Sequence, residues 1–158
     1  MSQVQLVSCS AVFNPLYTMT RINVGIAPTN LPDELLLAEL REIKRLPYFK
    51  RTLKDQTSPS EFTLGKGHIK FFMTRLRYAK ERYKRLKEEA ERRGFMVTDF
   101  SQNFVGLGED EEDEWRPKVK DKEKIIERIS QRVRESKKKC WHYYGRRITK
   151  EEVVEMLG

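Results

Sequence analysis

Histidine and cysteine are scarce in this 158-residue chain, with two of each, and that scarcity removes whole classes of site. His68, His142, Cys9 and Cys140 are scattered, so they do not make the clustered ligand set of a zinc site. No Asp/Asn spacing closed by a bidentate Glu matches a calcium loop. No metal is therefore expected, and the acidic run from Glu109 to Glu114 reads as an exposed loop. Cys9 lies in a stretch of doubtful status, so a structural disulfide is not expected and a reducing, cytoplasmic setting is. No apolar run approaches the length of a membrane span. Residues 1–18 lack a basic start and a continuous apolar core, so they do not read as a signal peptide. Internal repeats are also missing.

Charge is absent from Met1 to Thr18 and dense from Arg21 onward. The break falls at Met19-Thr20-Arg21-Ile22-Asn23, and an internal Met at such a break is a candidate start. Residues 1–18 are then a mis-assigned leader; the alternative is a genuine disordered tail. If translation starts at Met19, the small Thr20 side chain allows the initiator to be trimmed, exposing the Thr20 α-amine. An α-amine has a pKa of about 7.7–8.0, against about 10.4 for lysine. A useful fraction is unprotonated near neutral pH and can act as a nucleophile.

What the chain has in surplus is positive charge. Lys and Arg number 32 against 24 Asp and Glu, a net charge of +8. Such a balance points to a polyanionic partner, with nucleic acid ahead of an anionic membrane surface. The length suits one domain with a modest core.

Hydrophobic spacing predicts an all-α fold. Pro32, Asp33 and Glu34 open a helix over 32–46 carrying Leu36, Leu40 and Ile43, with Pro47 at its end or kink. Ile69, Phe72, Leu76, Ala79, Tyr83, Leu86 and Ala90 step by three and four through a second helix over 67–93, closed by Gly94. A third helix spans 121–138, with a narrow apolar stripe of Ile126, Ile129, Val133 and Ser136 and a basic one of Lys124, Arg128 and Arg132. Thr149 and Glu152 have capping-box spacing and open a short terminal helix. The only extended piece expected is a short one near Ile22 to Ile26.

Three constellations could carry chemistry. Arg41 and Arg45 lie one turn apart on the first helix with Glu42 at the border of that face. A carboxylate flanked by guanidinium groups stays ionised, which suits a general base or a stabiliser of a cationic intermediate; it also suits a solvent-facing helix laced with ion pairs. The stretch Lys137–Arg147 interleaves cations with aromatics, among them Lys139, Trp141, Tyr143, Tyr144 and Arg146. Such a stretch fits nucleic acid, through phosphate neutralisation and ring stacking, or simple packing of the rings on the helices. His68 follows Gly65-Lys66-Gly67 and either helps hold an anion or packs.

Met19-Thr20-Arg21-Ile22-Asn23, Ala38-Glu39-Leu40-Arg41-Glu42, Phe62-Thr63-Leu64-Gly65-Lys66-Gly67-His68, Phe71-Phe72, Arg93-Gly94-Phe95 and Tyr143-Tyr144-Gly145 occur in this order. Over residues 19–148 the chain so resembles the pyrimidine dimer DNA glycosylase/AP lyase family, the small endonuclease V of T-even phages and its cellular relatives. The resemblance implies a compact single domain, here residues 19–158, with three main helices and the N-terminal segment threaded between the first two. It implies a monomeric repair enzyme acting on double-stranded DNA that contains pyrimidine dimers, binding DNA non-specifically through phosphates, with no cofactor and no membrane. Thr20 corresponds to the family's nucleophile and Glu42 to its catalytic carboxylate. Arg21, Arg41 and Arg45 correspond to its DNA-gripping arginines, and His68 to a supporting histidine, grouped with the DNA-binding residues. A histidine the family carries early in its first helix has no counterpart near Glu34. If the chain starts at Met1, the resemblance leaves a non-catalytic DNA-binding module.

A cationic face that grips phosphates releases counterions on binding, so affinity for undamaged duplex should fall steeply between 50 and 200 mM salt, by about 10³-fold if six phosphates are contacted. A flat salt response in a fluorescence-anisotropy titration would contradict the phosphate grip.

Overall fold

The computed structural model describes residues 22–53, 58–109 and 114–158. The leader over 1–18, Thr20 and Arg21 lie outside the described residues.

Helix α1 runs over Asp33–Ile43, with Pro32 at its N-cap and the acids Asp33 and Glu34 in its first turn, where they complement the helix dipole. Leu36, Leu40 and Ile43 face the core. The expected helix over 32–46 ends early. The Arg45 N–H bonds the Glu42 carbonyl at 3.0 Å, tightening the backbone, and a second helix, α2, begins over Leu46–Thr52. Pro47 therefore opens a helix rather than ending one, because first-turn positions need no N–H donor.

The expected helix over 67–93 is also two helices, α3 over His68–Phe72 and α4 over Leu76–Arg92. Between them Arg75 leaves helical geometry, at φ −135° and ψ 38°. Its Nη1 donates to the Phe71 carbonyl (2.9 Å), the Ser58 hydroxyl (3.1 Å) and the Pro59 carbonyl (3.2 Å). Lys50 Nζ donates to the Met73 carbonyl at 2.7 Å. Side chains thus satisfy carbonyls freed by the break, while the apolar spacing runs on unbroken across it. Helix α4 closes on Gly94 at φ +90°, with Phe95 N–H bonded to Ala90 O (3.0 Å) and Gly94 N–H to Glu91 O (2.9 Å), a paired C-terminal cap.

Helix α5 spans Val119–Glu135. Its buried line is Asp121, Ile125, Ile129 and Val133, in steps of four, rather than the expected stripe through Ile126 and Ser136. Asp121 accepts the Lys118 N–H at 2.9 Å and caps the helix. The all-α expectation needs one correction. Trp141–Tyr143 (β1) and Arg146–Ile148 (β2) pair antiparallel. Tyr144 and Gly145 both have positive φ, 51° and 76°, which makes the two-residue mirror-image turn that matches strand twist. Helix α6 follows over Lys150–Leu157, capped reciprocally by Thr149 and Glu152.

The long helices α1, α4 and α5 frame the core, and residues Ile22–Ile26 run inside it. Ile22, Val24 and Ile26 are fully buried. This piece is not a strand: Val24 N–H bonds Ile22 O at 2.9 Å and Ile26 N–H bonds Asn23 O at 3.3 Å, so it folds into tight turns. An aromatic cluster of Phe62, Phe71, Phe72, Tyr78 and Trp115 flanks it, with Trp115 5.0 Å from Phe71 and 4.8 Å from Tyr78 between ring centroids. Among the described residues no helix is long and apolar enough to cross a membrane.

Gly25 sits at φ +78°, and a Cβ there would lie 2.8 Å from Cβ of Lys122 on α5. Gly25→Ala should combine left-handed strain with a steric clash, lowering stability by about 2 kcal/mol and Tm by several degrees. An unchanged calorimetric Tm would show that the turn does not pack as described.

Candidate active site

Four side chains from three helices hold the backbone of residues 22–26. His68 at the head of α3 is buried; its Nε2 accepts the Ile22 N–H at 2.9 Å and its Nδ1 lies 3.0 Å from the Thr63 carbonyl. Because Nε2 accepts, the ring proton resides on Nδ1 and is donated to Thr63. Glu39 on α1 accepts the Asn23 N–H through Oε1 (2.8 Å) and the Asn23 amide through Oε2 (3.2 Å). Arg82 on α4 forks onto the same carboxylate, Nε to Oε1 at 2.6 Å and Nη2 to Oε2 at 3.0 Å, while its Nη1 donates to the Ile26 carbonyl at 2.8 Å. Burial alone would lower the Arg82 pKa, but the facing Glu39 carboxylate outweighs it and holds the guanidinium above its usual value. Tyr78 on α4, hydrogen-bonded to Gly25 and Arg82, is pushed up mainly by burial, with Arg82 opposing.

Glu42 lies one turn beyond Glu39 on α1. Its side chain is 16% exposed and forms an ion pair with the exposed Arg45 at 3.2 Å. Arg41 is exposed and makes no hydrogen bond or ion pair among the described residues. The structure therefore divides the expected pair of arginines: Arg45 is engaged with Glu42, and Arg41 is left as an uncommitted cation beside it. A carboxylate that is mostly covered, held by one guanidinium and bordered by a second, suits stabilisation of a cationic centre at the protein surface.

The hairpin docks on the first turn of α1. Asp33, fully buried, accepts the N–H groups of Tyr144 (3.1 Å) and Gly145 (2.9 Å) and pairs with the buried Arg93 at 2.9 Å. Arg93 Nη1 also reaches the Leu31 carbonyl at 2.7 Å, and the guanidinium lies 4.7 Å from the Tyr143 ring and 4.9 Å from the Tyr144 ring. Glu34 receives His142 twice, backbone N–H to Oε2 at 3.1 Å and Nδ1 to Oε1 at 2.6 Å. An imidazole does therefore stand at the head of the first helix, but it comes from the hairpin, 108 residues away in sequence.

The expected site residues thus separate by location. Arg41 and the mostly covered Glu42 lie in the last turn of α1, and Arg45, paired with Glu42, lies at the N-cap of α2. Lys139 and Arg146 are exposed on the arm and strand of the hairpin. Trp141 is buried, with the Lys138 ammonium 5.1 Å from its ring, so it packs and its face is not open to a base. The Tyr143 hydroxyl donates to the Thr29 carbonyl (3.0 Å) and that of Tyr144 to Glu89 (2.9 Å), so both rings brace the hairpin. His68 is buried with both ring nitrogens engaged inside the protein, which fits support and not DNA contact. Thr20 and Arg21 lie outside the described residues. Glu39, Arg82, Asn23, Asp33 and Arg93 were missed as site-building residues. Isolated charged residues in amphipathic helices carry no signal of burial; only the family resemblance, which implies an N-terminal segment threaded between the first two helices, hinted at a held segment. Among the described residues no group of three or more His, Cys, Asp or Glu could hold a metal ion.

Residues 19–103, just over half of the 158, match the family described as pyrimidine dimer DNA glycosylase. The chain belongs to that family: it is a DNA repair glycosylase and DNA is its substrate. The matched span contains α1 to α4 and every residue of the clamp on 22–26; α5, the hairpin and α6 lie beyond it.

Glu39→Ala would leave Arg82 buried without its counter-ion and the Asn23 N–H without an acceptor. Loss of stability should be about 3–5 kcal/mol, with Glu39→Ala/Arg82→Ala less costly than the sum of the single changes. Denaturant midpoints measure this, and a single-variant cost below about 1 kcal/mol would remove the pair from the framework.

Proposed function

We propose that this glycosylase excises cyclobutane pyrimidine dimers and then nicks the strand, using the Thr20 α-amine as nucleophile. The observation that carries the reading is the clamp: His68 and Glu39, the latter one turn before Glu42 on α1, hold the backbone N–H groups of Ile22 and Asn23, the residues just behind the proposed nucleophile. Covalent geometry limits a residue two positions before Ile22 to a Cα separation of about 7 Å. The segment's entropy of ordering is met on folding, so no binding energy is needed to place it when DNA arrives.

The chemistry proceeds without a cofactor. The free amine attacks C1′ of the 5′ nucleotide of the dimer. The C1′–N1 bond breaks and the pyrimidine leaves with the bonding pair, taking up a proton. Opening of the sugar ring leaves an imine between Thr20 nitrogen and C1′. The imine acidifies the C2′ proton; a base removes it, the C3′–O bond breaks by β-elimination, and the 3′-side phosphate departs. Water then hydrolyses the imine and frees the amine. Glu42 stabilises the cationic sugar during the first step and assists proton removal in the second. Arg21, Arg41 and Arg45 grip the backbone near the lesion, with Lys139 and Arg146 of the hairpin region extending the cationic face. A dimer already weakens stacking and pairing, so distorting the duplex there costs less than in intact DNA.

On this reading residues 19–158 form one domain that acts as a monomer on cytoplasmic, nucleoid DNA. A chain that retains residues 1–19 carries an amide at Thr20 and would bind DNA without cutting it.

Borohydride reduction should trap a covalent adduct between a chain starting at Thr20 and dimer-containing duplex. Glu42→Gln should keep damaged-DNA affinity within about threefold while lowering turnover by 10²-fold or more. Absence of an adduct from the Thr20 form sinks the amine mechanism, and normal turnover of Glu42→Gln removes that carboxylate from it.

A further inference from the structure

Tyr48 is the outlier among the described tyrosines. Tyr83, Tyr143 and Tyr144 each place their hydroxyl in a hydrogen bond, and Tyr78 bonds Gly25 and Arg82. The Tyr48 hydroxyl has no partner among the described residues, and the residue is 63% exposed. It is on α2, yet it is physically continuous with the Glu42 face. Glu42 is bonded to Arg45; the Arg45 guanidinium lies 5.3 Å from the Phe49 ring; and the Phe49 ring lies 5.9 Å from that of Tyr48, edge to face. Arg41 is in the last turn of α1, Arg45 is the N-cap of α2 and Tyr48 is in the first turn of α2, so the three exposed residues follow one another as a row across the α1–α2 junction. The half-buried Phe49 stiffens its middle.

A single exposed aromatic ring is by itself ordinary on a protein surface. Here it ends a row of two cations on a protein that acts on DNA. A glycosylase must reach a sugar atom shielded by stacked bases, and the unstacked base must lose its neighbour's face. A fixed ring beside phosphate-binding cations can replace that face, since any base can stack on an aromatic platform. We propose that Tyr48 is a specificity-determining residue for this enzyme, stacking on a DNA base unstacked at the lesion while Arg41 and Arg45 hold the adjacent phosphates.

The inference rests on the repair reading above. It says that Tyr48 adds affinity for the distorted site and nothing for intact duplex, whose bases are already stacked. Affinities should be measured for a duplex carrying one site-specific thymine dimer and for its undamaged twin, using the Thr20-starting chain and its Tyr48→Ala, Tyr48→Phe, Tyr48→Trp and Tyr48→Leu variants. Tyr48→Ala and Tyr48→Leu should weaken dimer-duplex binding about tenfold and leave undamaged binding unchanged. Tyr48→Phe and Tyr48→Trp should retain it, and all variants should keep the wild-type Tm because the ring is largely in solvent. Borohydride trapping on a pre-formed abasic duplex, where the amine chemistry needs no dimer, should proceed in Tyr48→Ala as in wild type. Equal loss on both duplexes, rescue by Leu as well as by Phe, or no loss at all would each overturn the stacking role. A wild-type protein with no preference for the dimer sinks the repair reading and this inference together. A preference that survives in Tyr48→Ala sinks this inference alone.

Discussion

The buried pair between Glu39 on α1 and Arg82 on α4 is the interaction on which the rest of the structure turns. Two charges withdrawn from water are tolerable only if their remaining donors and acceptors are filled. Here they are filled by the backbone of Asn23 and Ile26 and the side chain of Asn23. The pair therefore cannot form fully without the N-terminal segment, and the segment cannot be buried without the pair. That reciprocity explains how a polar backbone in tight turns, with few internal hydrogen bonds of its own, can lie in the centre of the molecule. His68 completes the arrangement from α3 by accepting the Ile22 N–H.

A second acidic anchor lies at the other end of α1. Asp33 and Glu34 occupy the first turn, where the helix dipole favours them, and then receive four N–H groups from the hairpin: two from His142 and one each from Tyr144 and Gly145. Arg93, reaching over from the end of α4, neutralises Asp33 and lies against both tyrosine rings. Helix α1 is thus fixed at its head by the C-terminal hairpin and along its body by the N-terminal segment. Its last turn, with Arg41 and Glu42, and the following Arg45 are left free of the core. The face proposed for catalysis thus sits on a helix braced on its other sides, which keeps its side chains within narrow limits.

The division of the aromatic residues follows from the same economy. Trp141, Tyr143 and Tyr144 interleave with cations in a pattern that suits nucleic acid, but their rings or hydroxyls are taken up in holding the hairpin to α1 and α4. The cations beside them, Lys139 and Arg146, remain in solvent. Tyr48 shows the reverse: it sits in a helix with no conspicuous aromatic pattern, and among the described residues its ring is the most exposed of the aromatics, with a hydroxyl that holds nothing in place. Sequence interleaving reports which residues alternate along a strand, not which side of the sheet is covered.

What the sequence determined by itself was local and periodic. Apolar spacing located the helical segments, Gly94 their C-terminal stop, Thr149 and Glu152 the last cap, and the ordered short motifs the family. These signals depend on backbone conformation within a few residues, and a chain writes them in one dimension. The breaks at Met73–Arg75 and Lys44–Arg45, the turn at Tyr144-Gly145 and the buried roles of Glu39, Arg82, Asp33 and Arg93 were decided only in the tertiary structure. A charged residue in an amphipathic helix looks the same whether solvent or a distant partner satisfies it, and whether a side chain will cap a carbonyl 23 residues away depends on the packing of every element between. Desolvation is a property of the assembled core, so the residues that hold α1 and the N-terminal segment in place become visible only when that core is built.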